Sequence, residues 1–443
     1  MANANRLTLI SEFDKAPVGD GDIGNRVCLR CEASRYHSPH ATDSKLRNPI
    51  YDTLIHSKIK TENVNVVENA KLFAGIADKN PTLFRRLRVA LGDPAAYVES
   101  AQGSTAIVRD LEMDRVRQKS EADRVCCPAD FAPAAGLDAD RETATAQALA
   151  EFCIRENLKS VTVDRTFPYI FAWHLQQAGV DTKYDQNLGV IDRRQKSEQE
   201  LEFLAKAQQV TEEVMKILCE TIANAGVAAD GTLVWQGETL TSERVKAFAA
   251  TEFMNREFSM SHGAIVATAP HVADCHHSGE GPLKTEVPVI VDLFPMDNAT
   301  RYWGDCTRTV VNGQPTETVK KMHQAVVAAK AASAAVLKPG STGDAVHRAS
   351  DEALMAAGYA PSRGTLTDAP SMQHGTGHGI GLDVHEPILL DFGGGEILVN
   401  EVFTIEPGLY GKSVGGVRVE DMLVVRDGGA ESLNKLHEGL DWA

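Results

Sequence analysis

The chain has 443 residues, 43% of them hydrophobic and 24% charged, with a formal net charge of -16. That length exceeds one ordinary core and predicts two domains, or a large one with a smaller partner. The acidic surplus argues against a nucleic-acid partner, which needs clustered Lys and Arg, and no apolar run is long enough to span a bilayer, so no membrane partner is expected.

The first residues, MANANRLTLISEFDK, lack a basic stretch followed by an apolar one, so no secretory leader is expected. The eight cysteines are scattered apart from the adjacent Cys126 and Cys127. They read as reduced thiols of a cytoplasmic protein. Cys28 and Cys31 form a CxxC with His37 and His40 close behind, but no second half stands at zinc-finger spacing. The bland reading is preferred: residues 1–60 are a polar extension without regular periodicity.

Residues 61–190 have the texture of an α/β domain. NPTLFRRLRVALG, from Asn80, predicts an amphipathic helix ended by Gly92. AAYVESA and STAIVRDLEMDRVR predict strands, the latter running into a helix. A helix follows from Glu142, then the alternating strand SVTVDRT, then the helix PYIFAWHLQQAG stopped by Gly179. His174 reads as a packed helix residue, and nothing in this region assembles a site.

Residues 191–443 begin with a long helix. Ser197 and Glu200 have the spacing of a capping box, and a helical apolar stripe continues to Gly226. A second helix is predicted from about Ser242 to Glu257. The β-rich runs HGAIVAT, PVIVDLF, RYWGDCTRTVV, EILVNEVFTIEP and GGVRVEDMLVV follow, interrupted by alanine-rich helices near Thr316–Leu337 and Thr342–Ala357. Helix pair, strands, helix pair, strands is an α+β layout with a hint of internal duplication.

Acids interrupt these strands. Asp292 sits inside VPVIVDLF and Asp305 inside RYWGDCTRTVV, where an unpaired carboxylate costs several kcal/mol, roughly. A hairpin turning at Asn298–Ala299 places the two directly opposite, and like charges there repel. Glu406 closes VFTIEP and Glu420 lies in VRVEDM, with Arg418 on its face by period-two alternation. Between the strands runs HGTGHGIGLDVHE, His374 to Glu386, with three histidines and four glycines in thirteen residues. A helix would not tolerate those glycines. Four carboxylates and one imidazole would satisfy two hard divalent cations, which activate a water.

From about residue 195 onward the chain resembles the pita-bread metallopeptidases: methionine aminopeptidase, aminopeptidase P, prolidase and the metal-free creatinase. HGTGHGIGLDVHE is similar to the histidine motif of the proline-specific branch, and FTIEPGLY and GGVRVED to its two glutamate motifs. The resemblance implies a C-terminal pita-bread catalytic domain preceded by a creatinase-like α/β domain. It implies two divalent metal ions per chain, with Asp292 chelating one, Asp305 and Glu420 bridging, and His378 and Glu406 holding the second. Glu406 would also pass protons, His385 would stabilise the tetrahedral intermediate, and Arg418 would lie near the substrate's carboxyl end. His276 falls where the family keeps a substrate-side histidine, in an alignment uncertain by one against His277, and His374 would support the site as a hydrogen-bond partner.

The chain departs from the family pattern in two places. The two aspartates stand thirteen apart rather than eleven, and Phe294–Pro295 replaces a glycine that usually follows the first. The implied activity is hydrolysis of Xaa-Pro bonds through a metal-bridging hydroxide. Manganese is the expected metal, with cobalt or zinc as alternatives, and a homodimer is expected. The competing readings are a methionine aminopeptidase-like enzyme and a non-catalytic binding module. The large N-terminal region and Arg418 weigh against the first, and the complete ligand set against the second.

Overall fold

A computed structural model describes residues 69–363 and 367–443, and the described residues fall in one compact unit. The extension at residues 1–60, with Cys28, Cys31, His37 and His40, lies outside the described residues. Strand Ala70–Ile76 anchors a six-stranded mixed sheet, pairing antiparallel with Pro94–Ser100 and parallel with Ser160–Val163. Alternate side chains of this strand enter two cores. Leu72 and Ala74 pack under helices Arg141–Arg155 and Tyr169–Gln177, while Phe73 faces the other way toward Leu83, Leu87 and Leu91. Burial on both faces is what the alternating strand and helix pattern predicts.

The helix expected to reach Gly92 is shorter. It spans Pro81–Leu87, and Arg88 closes it in the left-handed conformation (φ 55°) with its N–H on the Phe84 carbonyl. The chain then turns back so that Leu91 enters the core and its carbonyl accepts from the Asp78 N–H. Propensity favoured continuation, but the core contact of Leu91 decided the end.

A short helix, Val190–Arg194, leads into the 26-residue helix Glu198–Ala223. Ser197 and Glu200 form the predicted capping box, and the Glu200 carboxylate also accepts from Arg85 (2.8 Å) and Tyr302 (2.6 Å). Together with Ser242–Met254 this helix covers a three-stranded antiparallel sheet of Ala264–Ala267, Val289–Leu293 and Cys306–Val310. The duplication appears in the second half. Glu317–Val336 and Gly343–Ala356, capped by Thr316 and Thr342, pack on a five-stranded sheet that includes Gly377–Gly379, Val402–Ile405 and Asp421–Arg426. The three-stranded sheet is stitched to the segment that leads into Asp421–Arg426, where Thr309 exchanges hydrogen bonds with the Arg418 backbone (3.0 and 3.1 Å) and Glu420 N–H donates to the Thr307 carbonyl.

The predicted hairpin exists with a different register. Asp292 faces Thr307 and Leu293 faces Cys306, two positions away from the expected pairing of Asp292 with Asp305. Asp297 is the cause: its Oδ1 accepts from the N–H of Ala299 (2.8 Å), an Asx turn that centres the bend on Ala299–Thr300. Period two still puts Asp305 on the face of Thr307, so the aspartates are diagonal neighbours rather than directly opposed.

Candidate active site

Strand ends of the two sheets surround a cavity of about 720 Å³, a size typical of small-ligand sites. Asp292, Asp305, His374, His378, His385, Glu406, Arg418, Glu420 and His276 all line it. Every site residue expected from sequence is thus brought to one place. His276 is the histidine that faces the cavity; His277 instead stacks on His271 at 4.6 Å.

The four carboxylates come from four strand ends and are poorly compensated. Asp292 Oδ2 accepts from Arg418 Nη2 (2.6 Å), but its Oδ1 is buried without a hydrogen-bond partner among the described residues. Glu420 Oε2 accepts from the Thr307 hydroxyl (2.7 Å), whose oxygen in turn accepts from Arg418 Nε (3.1 Å). Asp305 is held through its backbone by Gln208, which accepts from its N–H (2.9 Å) and donates to its carbonyl (2.7 Å). Arg418 is the guanidinium facing all of them. Burial, followed by the charges of Glu420, Asp292 and Glu406, holds the Asp305 carboxyl well above the usual range. Burial and its acidic neighbours do the same to Glu420, and burial followed by Asp292 pushes Glu406 up to about 8.

His378 supplies the imidazole. Gly377 permits its approach, since a Cβ there would come within 2.0 Å of the Thr404 carbonyl oxygen. Its Nδ1 lies 3.1 Å from the Gly379 carbonyl, which only accepts, so Nδ1 carries the hydrogen and Nε2 presents a lone pair. That Nε2 is 3.7 Å from Asp305 Oδ2 and 3.7 Å from Glu406 Oε1. Burial pushes the ring down to about 3, keeping it neutral, with the neighbouring His385 adding to the effect. Asp305, His378 and Glu420 can each place a donor atom within 4.8 Å of the others, and all three are buried. At the rim, Asp274, Cys275 and His276 also cluster, but Asp274 and His276 are exposed and the acid caps the His276 N–H.

One chain of hydrogen bonds went unread in the sequence. Gly375 carbonyl accepts from His374 Nδ1 (2.7 Å), His374 Nε2 accepts from the Tyr410 hydroxyl (2.6 Å), and that oxygen accepts from Arg418 Nη1 (3.0 Å). His374 therefore orients Arg418 through Tyr410, and burial followed by Arg418 keeps it neutral, down to about 3. Tyr410 lies in GLYG just after Glu406, yet no local signal marks it. Thr307, Gln208 and His262, which stacks on Trp303 at 4.9 Å, were missed for the same reason.

The set has the chemistry of a divalent cation site. It offers oxygen donors in excess, one neutral nitrogen and an orphaned buried oxygen, with far too little positive charge.

Residues 202–427 match metallopeptidase family M24. A probable dipeptidase, PepE, of Mycobacterium bovis is 31% identical over 220 residues, which is 48% of this chain and 56% of that protein. The match thus spans little more than half the length of that relative. An Xaa-Pro dipeptidase of Pyrococcus horikoshii is 29% identical over 297 residues, covering 64% of this chain and 76% of its own. In structure, the prolidase of Pyrococcus horikoshii superposes with a TM-score of 0.66 at 22% identity, over 84% of this chain and 95% of that one. That likeness shows the pita-bread fold. Among the described residues no helix is long and apolar enough to cross a membrane.

Proposed function

This chain belongs to metallopeptidase family M24, and from that premise we propose that it is a metal-dependent exopeptidase hydrolysing Xaa-Pro peptide bonds. The observation that carries the reading is the buried acid surplus: four carboxylates around Arg418, with Asp292 Oδ1 unpartnered. Asp292, Asp305, His378, Glu406 and Glu420 would hold two divalent ions, and manganese or cobalt suits a set with one nitrogen donor. When bound, such ions supply Lewis acidity, lowering the pKa of a water and polarising the scissile carbonyl.

The chain's own groups do the rest. Glu406, partly exposed toward the cavity, accepts the proton of the attacking water and passes it to the leaving nitrogen. His385, on the solvent side of His378 with ring centroids 4.3 Å apart, donates a hydrogen bond to the carbonyl oxygen as charge develops. Arg418, fixed by Asp292, Tyr410 and Thr307, places the substrate's carboxyl-terminal side, and His276 lines the rim next to Cys275, whose carbonyl accepts from Arg418 Nη1 (3.4 Å).

The test is to strip the protein with chelator, reload it with manganese, and assay Xaa-Pro dipeptides, longer Xaa-Pro peptides and Met-Ala peptides. Metal-dependent cleavage at Xaa-Pro is expected. Release of methionine with no cleavage of any Xaa-Pro bond overturns the assignment.

A further inference from the structure

His385 has no side-chain hydrogen bond or ion pair among the described residues, and its protein neighbour is the edge-on ring of His378. An imidazole that must donate along one direction, yet has no side-chain partner to hold it, takes its aim from the backbone that carries it. That backbone is the turn Gly381–Glu386, and one carboxylate organises it.

Glu386, next to His385, is 3% exposed. Its Oε1 accepts from the N–H groups of Leu382 (3.0 Å) and Asp383 (3.4 Å), clasping the turn from inside. The same oxygen accepts from Arg193 Nε (3.0 Å) and Nη2 (2.6 Å), and Oε2 accepts from Lys196 Nζ (2.8 Å). Arg193 Nη2 also reaches Asp383 Oδ2 (2.6 Å), so one guanidinium ties the middle of the turn to its last residue. Gly381 is needed here, because a Cβ would stand 2.6 Å from Glu386 Oε2. Arg193 lies on the short helix Val190–Arg194, and the neighbouring Asp192 accepts from Arg86 (2.8 Å) of the first sheet's helix Pro81–Leu87.

We infer that Glu386 and Arg193 are positioning residues that aim the His385 imidazole at the reacting carbonyl. The inference rests on the Xaa-Pro peptidase reading and extends it. The side chains of Arg193 and Glu386 touch neither the carboxylate cluster nor Arg418 and act through the turn, while the Glu386 backbone pairs with Gly379 beside His378, which is why metal content is followed as well. The helix between the two halves of the molecule thereby takes part in the chemistry without lining it with a reactive group.

The experiment is a double-mutant cycle on manganese-loaded full-length protein: wild type, R193Q, H385A and the R193Q/H385A pair, with R193K as the conservative variant. R193Q is expected to lower kcat by about 10- to 100-fold while KM and metal content stay near wild type. R193K, which keeps the charge and one donor, recovers part of that loss. In the H385A background R193Q should change kcat little, because the group it aims is gone. A merely structural role predicts the same loss in both backgrounds, and that additive outcome overturns the inference, as does an R193Q enzyme with wild-type kcat. If R193Q is too unstable to assay, R193K carries the same cycle with H385A. A wild type that turns over no Xaa-Pro peptide sinks the underlying reading, and the inference with it; active wild type with additive losses sinks only the inference.

Discussion

Two carboxylate clusters lie on either side of His385. Around Glu386, two acids (Glu386 and Asp383) face two cations (Arg193 and Lys196), and despite burial the ion pairs hold the Glu386 carboxyl below its ordinary range. In the cavity, four acids face Arg418, and Asp305, Glu406 and Glu420 are all held above their ordinary range. Both regions are buried and hydrogen-bonded, so burial does not separate them. Charge balance does: the first is complete as protein, whereas the second is complete only with added positive charge.

The sharpest way to break this comparison is to remove a carboxylate that an ion needs. Asp305→Asn should lose metal and, with it, activity on the order of 10⁴-fold, about 5 kcal/mol. Metal analysis of the dialysed variant is the check; two ions per chain with full activity would show that Asp305 is not a ligand.

Neutralising one acid in each cluster should have opposite consequences for the metal-free protein. Glu386→Gln strands the buried Lys196 and leaves Arg193 with Asp383 alone, and should destabilise by about 3–5 kcal/mol. Glu406→Gln relieves repulsion and should leave stability unchanged or raised. Urea unfolding with chelator present measures both, and equal losses would erase the distinction.

The smallest effect is a pH slope. A carboxyl held up to about 8 in the folded state binds its proton more tightly there than in the unfolded chain. Its contribution is full below the unfolded value of 4.5 and is lost as pH rises through 8. His374 and His378, held down to about 3, act oppositely: their contribution is full above 6.5 and is lost as pH falls toward 3. Above about pH 7.5, where the histidines are neutral in the unfolded chain as well, only the carboxyl effect operates, so metal-free stability should fall as pH rises through about 8, by at most about 1.4 kcal/mol per unit for one proton. Thermal melts should show this slope disappear when manganese is restored, since binding releases the protons. A metal-free protein whose melting temperature is flat or rising over that window contradicts the assigned acid surplus.

Much of this was legible residue by residue. The capping box at Ser197 and Glu200, the Thr316 and Thr342 caps, and the acids inside apolar strands are local patterns, and local patterns survive folding. The Asp292–Asp305 register was not legible, because an Asx turn at Asp297 shifted the bend and moved the pairing by two positions. Tyr410, Thr307 and Gln208 carried no mark either, since their roles depend on partners 8, 113 and 97 positions away along the chain.

Local residue patterns mark which groups would carry the proposed chemistry: four acids that cannot be buried bare, a glycine-rich histidine run that cannot be helical, and an arginine in phase with Glu420. Tertiary structure alone decided how those groups are aimed. It placed Glu386 under the His385 turn, brought Arg193 and Lys196 from 193 and 190 positions away to neutralise it, and left the cavity acids with one guanidinium. Residue chemistry is written locally, whereas charge balance is a sum over neighbours that only folding assembles.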